Sequence, residues 1–180
     1  MRIHGNSLIL RAIERKDLTV LHKWANDPLT QDAIGELHFP SSMEFHEQWF
    51  SAQVGDTRNQ RFIVETPKAE AIGLASIVKI DWRNRNAWHG LVIGEPGHRG
   101  KGYAVDAIMA TMRYAFDELN LERLDGSMIE YNERSVSAYC GKKIGWKIEG
   151  RKNRYFYRKG RYWDQIIVGI TKQEYLQHCE

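Results

Sequence analysis

Hydrophobic and polar positions alternate along the chain in two periods, one typical of short strands and one typical of amphipathic helices. The most regular helical pattern runs from Tyr103 to Leu119, where apolar side chains recur at every third or fourth position. These apolar positions are Val105, Ile108, Met109, Met112, Phe116 and Leu119. Such a stripe predicts a helix that packs against a sheet, with both methionines as core residues.

The same two periods predict the other elements. The predicted strands are Ser7–Ile13, Arg61–Thr66, Ala71–Asp81, Ala87–Ile93, Leu124–Ile129, Trp146–Tyr157 and Arg161–Ile170. The predicted helices are Asp17–Ala25, which Asn26-Asp27-Pro28 should end, a helix opened by Ser41-Ser42-Met43-Glu44, Glu133–Cys140, and a terminal helix opened by Thr171-Lys172-Gln173-Glu174. Both four-residue segments have the sequence of a capping box. This order predicts an α/β chain with a central mixed sheet, in which residues 1–180 form one domain.

Composition narrows the class of protein. Hydrophobic residues make up 42% and charged residues 27% of the chain, as in an ordinary globular protein. No run of apolar residues is long enough for a membrane span, and Met1–Leu10 lacks the features of a secretion signal, so we expect a cytoplasmic protein. Cys140 and Cys179 are expected to be reduced thiols, and no Cys/His cluster has the spacing of a metal site. A net charge of +3 does not by itself argue for nucleic acid.

A glycine-rich loop precedes the strongest predicted helix. In Arg99-Gly100-Lys101-Gly102-Tyr103-Ala104 the small residues let several backbone N–H groups converge at the helix N-terminus, an arrangement that binds phosphate groups. A P-loop is excluded because Gly102 follows Lys101 where Ser or Thr is required. A dinucleotide fingerprint is excluded because Val105 stands where the third glycine is required. Taken alone, the loop is equally well explained as a tight turn between strand and helix.

This loop and the elements after it resemble the GNAT superfamily of acetyl-CoA-dependent N-acetyltransferases. The family's pyrophosphate pattern, Arg/Gln-x-x-Gly-x-Gly/Ala, is matched by Arg99, Gly102 and Ala104. Its Asn-x-x-Ser/Ala element is matched from Asn132 to Ser135. The resemblance spans essentially the whole chain and looks strongest to the branch of spermidine and ribosomal-protein N-terminal acetyltransferases.

Tyr139 follows Asn132 by seven residues, where many family members carry the tyrosine that acts as general acid. The chain departs from the family in the spacing between this tyrosine and the glycine of the family's Gly-Phe element, which is Gly145 here. Gly145 follows Tyr139 by six residues instead of four, so Cys140–Ile144 contains a two-residue insertion. Gly141 could end the helix early and change the orientation of the phenol.

The resemblance implies a mostly antiparallel sheet flanked by helices and splayed at the cofactor-binding strand. It implies direct transfer of acetyl from acetyl-CoA to a primary amine, without a metal. The pyrophosphate would be held by Arg99, Gly100, Lys101, Gly102, Tyr103 and Ala104. Leu91, Val92 and Ile93 would hold the pantetheine and polarise the thioester carbonyl, with Asn132 and Ser135 completing the cofactor site. Tyr139 would protonate the departing sulfur.

The general base is left open among Glu36, His38, Glu44 and His89. Packing is the simpler interpretation of both histidines, and Glu44 also has the predicted capping role. Cys140 is not expected to act as a nucleophile, because the sequence shows no relay for it.

Trp24–Thr57 contains no lysine or arginine and holds six carboxylates. In the family this region forms the acceptor side of the cleft, so Asp32, Glu36 and Glu44 are predicted to bind a cationic acceptor such as a polyamine or a protein N-terminus. A solvated acidic face explains the segment equally well. The alternatives are an amino sugar or aminoglycoside as acceptor, or a noncatalytic acyl-CoA- or RNA-binding module. Basic and aromatic residues in 151–163 fit an ordinary hairpin better than a nucleic-acid surface, and a homo-oligomer is compatible with the sequence.

Overall fold

The computed structural model describes residues 1–34 and 39–179. Its strands are β1 (Arg2–His4), β2 (Ile9–Ala12), β3 (Gln60–Glu65), β4 (Ala71–Asp81), β5 (Asn86–Ile93), β6 (Arg123–Ile129), β7 (Lys147–Arg158) and β8 (Arg161–Thr171). Its α-helices are α1 (Leu18–Ala25), α2 (Pro28–Ala33), α3 (Met43–Ser51), α4 (Tyr103–Arg113), α5 (Glu133–Cys140) and α6 (Lys172–Cys179). No helix in the described ranges is long and apolar enough to cross a membrane.

The strands form one sheet in the order β1-β2-β3-β4-β5-β6-β8-β7. Neighbouring strands run antiparallel except β5 and β6, which are parallel. A parallel pair needs a long crossover connection, and α4 supplies it here. The predicted mixed, mostly antiparallel sheet flanked by helices is therefore confirmed.

The apolar stripe of α4 packs on the sheet as predicted. Ile108, Met112 and Phe116 are fully buried, and Val105, Met109 and Leu119 lie partly buried against the same core. The predicted helix Tyr103–Leu119 is wrong in one respect, because its last part is a π-helical turn over Tyr114–Glu118. The Leu119 N–H donates to the Tyr114 carbonyl at 3.0 Å, five residues back, so the stripe continues although the helical repeat changes.

The first predicted strand is shorter than predicted, and it pairs with an additional strand that the sequence pattern does not indicate. The strand expected over Ser7–Ile13 is β2, which pairs with the three-residue β1. The loop between them is fastened to α4, because the Asp106 carboxylate accepts hydrogen bonds from the backbone N–H groups of Asn6 and Ser7, both at 2.7 Å. This hairpin thus supports the first turn of α4, directly after the glycine-rich loop.

The segment Asn26-Asp27-Pro28 ends α1, as predicted, but it also begins α2, a helix that the sequence pattern does not predict. The Asp27 carboxylate caps α2 by accepting from the Thr30 N–H at 3.0 Å and from the Thr30 hydroxyl at 2.7 Å. Pro28 occupies the first helical position, where a missing N–H costs nothing. Asp32 therefore lies on a short helix.

The predicted capping box at α3 is wrong by one residue. Ser42, not Ser41, caps α3, and its hydroxyl accepts from the Phe45 N–H at 3.1 Å. The Glu44 carboxylate accepts instead from the Gln48 side chain at 3.2 Å, so it has no capping role.

The second predicted capping box, at α6, is confirmed. The Glu174 N–H donates to the Thr171 hydroxyl at 3.2 Å, and the Thr171 N–H donates back to the Glu174 carboxylate at 2.9 Å. Hydrogen bonds from Lys147 and Thr171 lower the pKa of Glu174 to about 2.

Candidate active site

β5 separates from β6 part of the way along its length. β5 pairs with β4 as far as Ile93, but it pairs with β6 only from Asn86 to Trp88. Both strands continue beyond the last common pair, Trp88 and Asp125. The predicted splay at this strand is therefore present, and it opens a cleft on one side of β5 from His89 onwards.

Three residues of β5 were predicted to hold the cofactor, and the geometry distinguishes among them. The Val92 carbonyl faces Gly73 of β4 so closely that a side chain on Gly73 would collide with it. Because successive backbone groups of a strand point to opposite sides, those of Leu91 and Ile93 point away from β4, into the cleft. The Ile93 carbonyl accepts from Arg99 Nε at 2.9 Å. Of the three residues, Leu91 is therefore the one whose backbone groups face the cleft without the contact to β4 made by Val92 or the hydrogen bond to Arg99 made by Ile93.

The Arg99 guanidinium is held by the protein itself. Besides the Ile93 carbonyl, it donates to the Gly94 carbonyl and to the Thr30 hydroxyl, each at 3.1 Å, and it lies 3.8 Å from the Asp27 carboxylate. Arg99 thus joins the end of β5 to the beginning of α2. Its side chain positions the start of the glycine-rich loop, and its backbone N–H donates to the Pro96 carbonyl at 3.2 Å. Contacts with a phosphate would therefore come from the residues that follow Arg99 in the loop.

The loop itself has the backbone that an anion site requires. Gly100 and Gly102 adopt φ values of 75° and 84°, in the left-handed region that favours glycine, and a Cβ at either position would meet only open space. Gly102 is the N-cap of α4 and supplies no side-chain cap. The first N–H groups of α4, at Tyr103 and Ala104, therefore lie at an open, positively polarised helix end beside Lys101.

Tyr139 is a buried residue of α5 and contacts His89, the first residue of β5 beyond the last β5–β6 pair. The phenol oxygen is 2.7 Å from His89 Nδ1, and both side chains are buried. Burial lowers the pKa of His89 to about 3 and raises the pKa of Tyr139. At neutral pH the pair therefore consists of a neutral imidazole and a neutral phenol.

The two-residue insertion after Tyr139 forms a compact turn. Gly141 ends α5 as predicted, and its carbonyl accepts from Ile144 and Gly145 at 3.0 and 3.1 Å. The Trp146 N–H then donates to the Tyr139 carbonyl at 3.2 Å, while the Ile144 side chain is fully buried. The extra residues are thus absorbed without displacing Tyr139 from the core.

Asn132 begins α5 and also contacts α2. Its side-chain oxygen accepts from the Ser135 N–H at 3.2 Å, and its amide donates to the Ala33 carbonyl at 3.2 Å. A cavity of about 250 Å³ lies at this junction, lined by Leu29, Asp32, Ala33, Tyr131, Asn132, Glu133 and Arg134. The structure thus brings together Asp32, predicted on the acceptor side, and Asn132, predicted on the cofactor side.

The predicted acceptor carboxylates have different surroundings. Asp32 forms an ion pair with Lys159 at 2.6 Å, and Tyr131 donates to its backbone carbonyl at 2.6 Å. Glu44 lies on the exposed face of α3. Glu36, and the candidate base His38, lie outside the described residues. Lys159 and Tyr131 were not predicted, because no local pattern signals contacts with a residue 127 and 99 positions away.

His89, another candidate base, is not placed to deprotonate an incoming amine. Its Nε2 is buried away from solvent and its Nδ1 faces Tyr139. In the described part of the chain no group of His, Cys, Asp and Glu side chains could hold a metal ion.

Comparison with known proteins gives a consistent result. Residues 7–147 match the family described as acetyltransferase (GNAT) domain. A spermidine N(1)-acetyltransferase of Vibrio cholerae is 30% identical over 176 residues, which cover 98% of this chain and 99% of that protein. The crystal structure of spermidine N-acetyltransferase from Vibrio cholerae in complex with CoA and spermine superposes with a TM-score of 0.88 at 30% identity, covering 96% and 99% of the two chains. A dodecameric structure of that enzyme superposes with a TM-score of 0.83 at 29% identity, covering 98% and 100%.

Proposed function

Because the chain belongs to the GNAT acetyltransferase family, we propose that it transfers the acetyl group of acetyl-CoA to a primary amine of a polyamine-like cation. Its class as an acetyl-CoA-dependent N-acetyltransferase follows from the family and from the CoA-bound relative. The observation that carries the proposal is an open, glycine-rich helix N-terminus placed just after β5, a strand that parts from its neighbour β6. The Asp32–Asn132 cavity lies beside α2, to which Arg99 ties the end of β5.

The glycine-rich loop would hold the pyrophosphate of CoA. Its left-handed glycines leave room for phosphate oxygens to approach the backbone, and the N-terminus of α4 supplies hydrogen-bond donors and positive potential. Lys101 adds a cation. Arg99 would hold the loop in place through the carbonyls of Ile93 and Gly94.

The backbone groups of Leu91 that face the cleft would bind the pantetheine arm and the thioester carbonyl. Fixed backbone dipoles need no reorganisation when negative charge develops on the carbonyl oxygen, so they lower the barrier efficiently. Asn132 would keep α2 against α5 and so hold the acceptor side of the cleft at a fixed distance from β5.

Tyr139 would protonate the departing CoA sulfur. The phenol is protonated at neutral pH, which a general acid requires. Because burial raises its pKa further, Tyr139 donates the proton readily only if the resulting phenolate is stabilised. The insertion leaves the phenol oxygen in contact with His89, next to the position where β5 and β6 part.

The acceptor amine must lose a proton before it attacks. A primary amine with a pKa of about 10.4 is unprotonated in only about one molecule in two thousand at pH 7. Since His89 is enclosed, we assign proton removal to water in the cleft, with the carboxylates of α2 and α3 attracting the cation. A cationic acceptor is also what the relative's complex with spermine supports.

An amino sugar is the second candidate acceptor. Asp32 is already paired with Lys159, and Asp27 caps α2, so part of the negative charge of Trp24–Thr57 is used within the protein. Glu44 and Glu47 remain exposed on α3 and would carry the preference for cations.

A homo-oligomer is proposed from the relative's dodecameric structure and from the exposed side chains of Ile148, Tyr155, Tyr157 and Tyr162 on β7 and β8. Light scattering would then give a mass well above the 21.0 kDa of one chain.

Turnover with spermidine tests the proposal. Purified protein, acetyl-CoA and spermidine should release free CoA thiol and yield acetylated spermidine in equal amounts, measured by thiol titration and mass spectrometry. Glucosamine in place of spermidine should react much more slowly. The opposite order of the two amines would favour the amino-sugar acceptor.

A further inference from the structure

His89 is a buried polar residue for which the reaction outlined above has no use. It lies on β5 where the cleft opens, its ring 5.5 Å from that of Tyr139 and 5.9 Å from that of Trp146. Nδ1 is 2.7 Å from the Tyr139 oxygen, whereas Nε2 is buried without a hydrogen-bond partner among the described residues. A strand-packing role alone would be served better by an apolar side chain, since an unpaired polar atom in a core costs free energy.

We propose that His89 positions Tyr139 by donating its Nδ1–H to the phenol oxygen, which leaves the phenol hydrogen free for the CoA sulfur. This inference deepens the role of Tyr139 proposed above and rests on it. The two atoms can bond in only two ways, because a neutral imidazole carries one proton. If Tyr139 donated to Nδ1, the proton would lie on Nε2 as a buried N–H with no acceptor.

The unpaired Nε2 distinguishes these two tautomers. Buried N–H groups without an acceptor are the rarest unsatisfied groups in proteins, whereas a buried lone pair is tolerated more often. A proton on Nδ1 places the lone pair at Nε2 and leaves the phenol hydrogen as the unpaired donor, for which the CoA sulfur is the acceptor. A proton on Nε2 would leave an N–H that no described residue accepts, with or without the cofactor. Burial also lowers the pKa of His89 to about 3, so the doubly protonated ring is absent at neutral pH.

The same hydrogen bond assists proton transfer. When the Tyr139 O–H bond breaks and the S–H bond of CoA forms, the negative charge passes from sulfur to the phenol oxygen. Burial disfavours that phenolate, as the raised pKa of Tyr139 indicates, and a donor at 2.7 Å stabilises it. The proton that the acceptor nitrogen releases then restores the phenol through solvent, so the proton balance of the reaction closes.

Two substitutions separate this role from packing. His89→Phe keeps a ring but removes the donor, and His89→Asn places an amide donor close to the position of Nδ1. We expect His89→Phe to lower kcat about tenfold or more, the effect of a lost hydrogen bond to a charged group, with little change in the KM for acetyl-CoA. His89→Asn should recover a large part of the loss. Thermal unfolding of each variant checks that the fold is retained.

The decisive comparison uses the Tyr139→Phe background. If His89 acts through Tyr139, His89→Phe should cause no further loss of kcat there, since the group it serves is absent. An equal loss in both backgrounds would mean that His89 only packs, and an undiminished kcat in Tyr139→Phe alone would remove the general-acid role and this inference with it.

Nitrogen NMR of histidine-labelled protein reads the tautomer without any assay of activity. The His89 signal, assigned by its loss in His89→Phe, should show the proton on Nδ1. A proton on Nε2 would overturn the inference even if Tyr139 were the general acid, so the two failures can be told apart.

Discussion

The ammonium of Lys159 lies 2.6 Å from the carboxylate of Asp32 and joins the turn between β7 and β8 to α2. Lys159 also lies 5.2 Å from the centre of the Tyr131 ring, and Tyr131 in turn donates to the backbone of Asp32. The Asp32 carboxylate, which lines the Asp32–Asn132 cavity, is thus already paired with an ammonium group of the protein. A polyamine that bound Asp32 would have to compete with it.

Replacing Lys159 by Met should therefore strengthen acceptor binding. We expect the KM for spermidine to fall about two- to fivefold, as suits a partly exposed charge pair, with kcat little changed. Lys152→Met is the matched control, because it removes the same charge from the same hairpin and Lys152 lies over Tyr155 instead. Equal KM values in the two variants would place Asp32 outside the acceptor site.

Gly102 should be indispensable for CoA binding. Glutamate at this position would force a side chain into a left-handed conformation and put a negative charge at the N-terminus of α4. Calorimetry should show no binding of CoA to Gly102→Glu. Gly55→Glu is the control, because Gly55 has a similar φ of 77° and open space around it, far along the chain from the loop. Loss of binding in both variants would point to general misfolding.

Tyr139→Phe removes one hydroxyl and keeps the ring. Since positioned proton transfer contributes about a hundredfold or more, kcat should fall by about that factor while CoA still binds. Tyr114→Phe removes a hydroxyl from a half-buried tyrosine on the π-helical turn and should leave kcat unchanged. Steady-state kinetics at saturating substrates makes the comparison, and equal kcat values for Tyr139→Phe and the wild type would exclude the general acid.

Where the sequence predicted the fold well, several local signals agreed. In α4 the apolar stripe, the preceding glycines and the length of the segment all indicate one helix on a sheet, and the structure confirms it up to Arg113. α2 is different, because Asn26-Asp27-Pro28 contains both a helix end and a helix start, and only the end was recognised. At α3 two adjacent serines offered two possible caps, which periodicity cannot distinguish.

The site was predictable only in its local parts. The glycine-rich loop and Tyr139 are visible from spacing, whereas the contacts that define their surroundings join distant positions. His89 and Tyr139 are 50 residues apart, and the pairing of their side chains depends on where β5 leaves β6. Arg99 matches the phosphate pattern, yet its guanidinium bonds to the protein's own carbonyls, which no motif could indicate.

Acid should weaken the fold through a buried charge cluster in the N-terminal half. Arg11 donates to Asp17 at 2.7 and 2.9 Å and also pairs with Glu65. Burial alone would raise the pKa of Asp17, but hydrogen bonds from Arg11 and from the Glu14 N–H outweigh it, so the pKa lies below the ordinary 3.8. A lowered folded-state pKa adds stability above about pH 4, and this stability is lost as pH falls through the folded-state pKa.

Asp17→Asn should accordingly be less stable than the wild type by about 1–3 kcal/mol at pH 7. The difference should shrink as the pH falls below 4, because protonation then removes the same charge from the wild type. Urea unfolding at several pH values measures it, with the exposed Asp117→Asn as control. A difference that stays constant from pH 7 to pH 3 would show that the carboxylate charge contributes nothing.

The most direct measurement of the central claim is kcat/KM for amines of charge +1 to +4 at two ionic strengths. If the chain acetylates polyamine-like cations, kcat/KM should rise with acceptor charge at 0.1 M salt. The rise should become much weaker at 1 M, since the Debye length falls from about 10 Å to about 3 Å. Values that are independent of charge and salt, or that are highest for an amino sugar with a single amine, would contradict a polyamine-like acceptor.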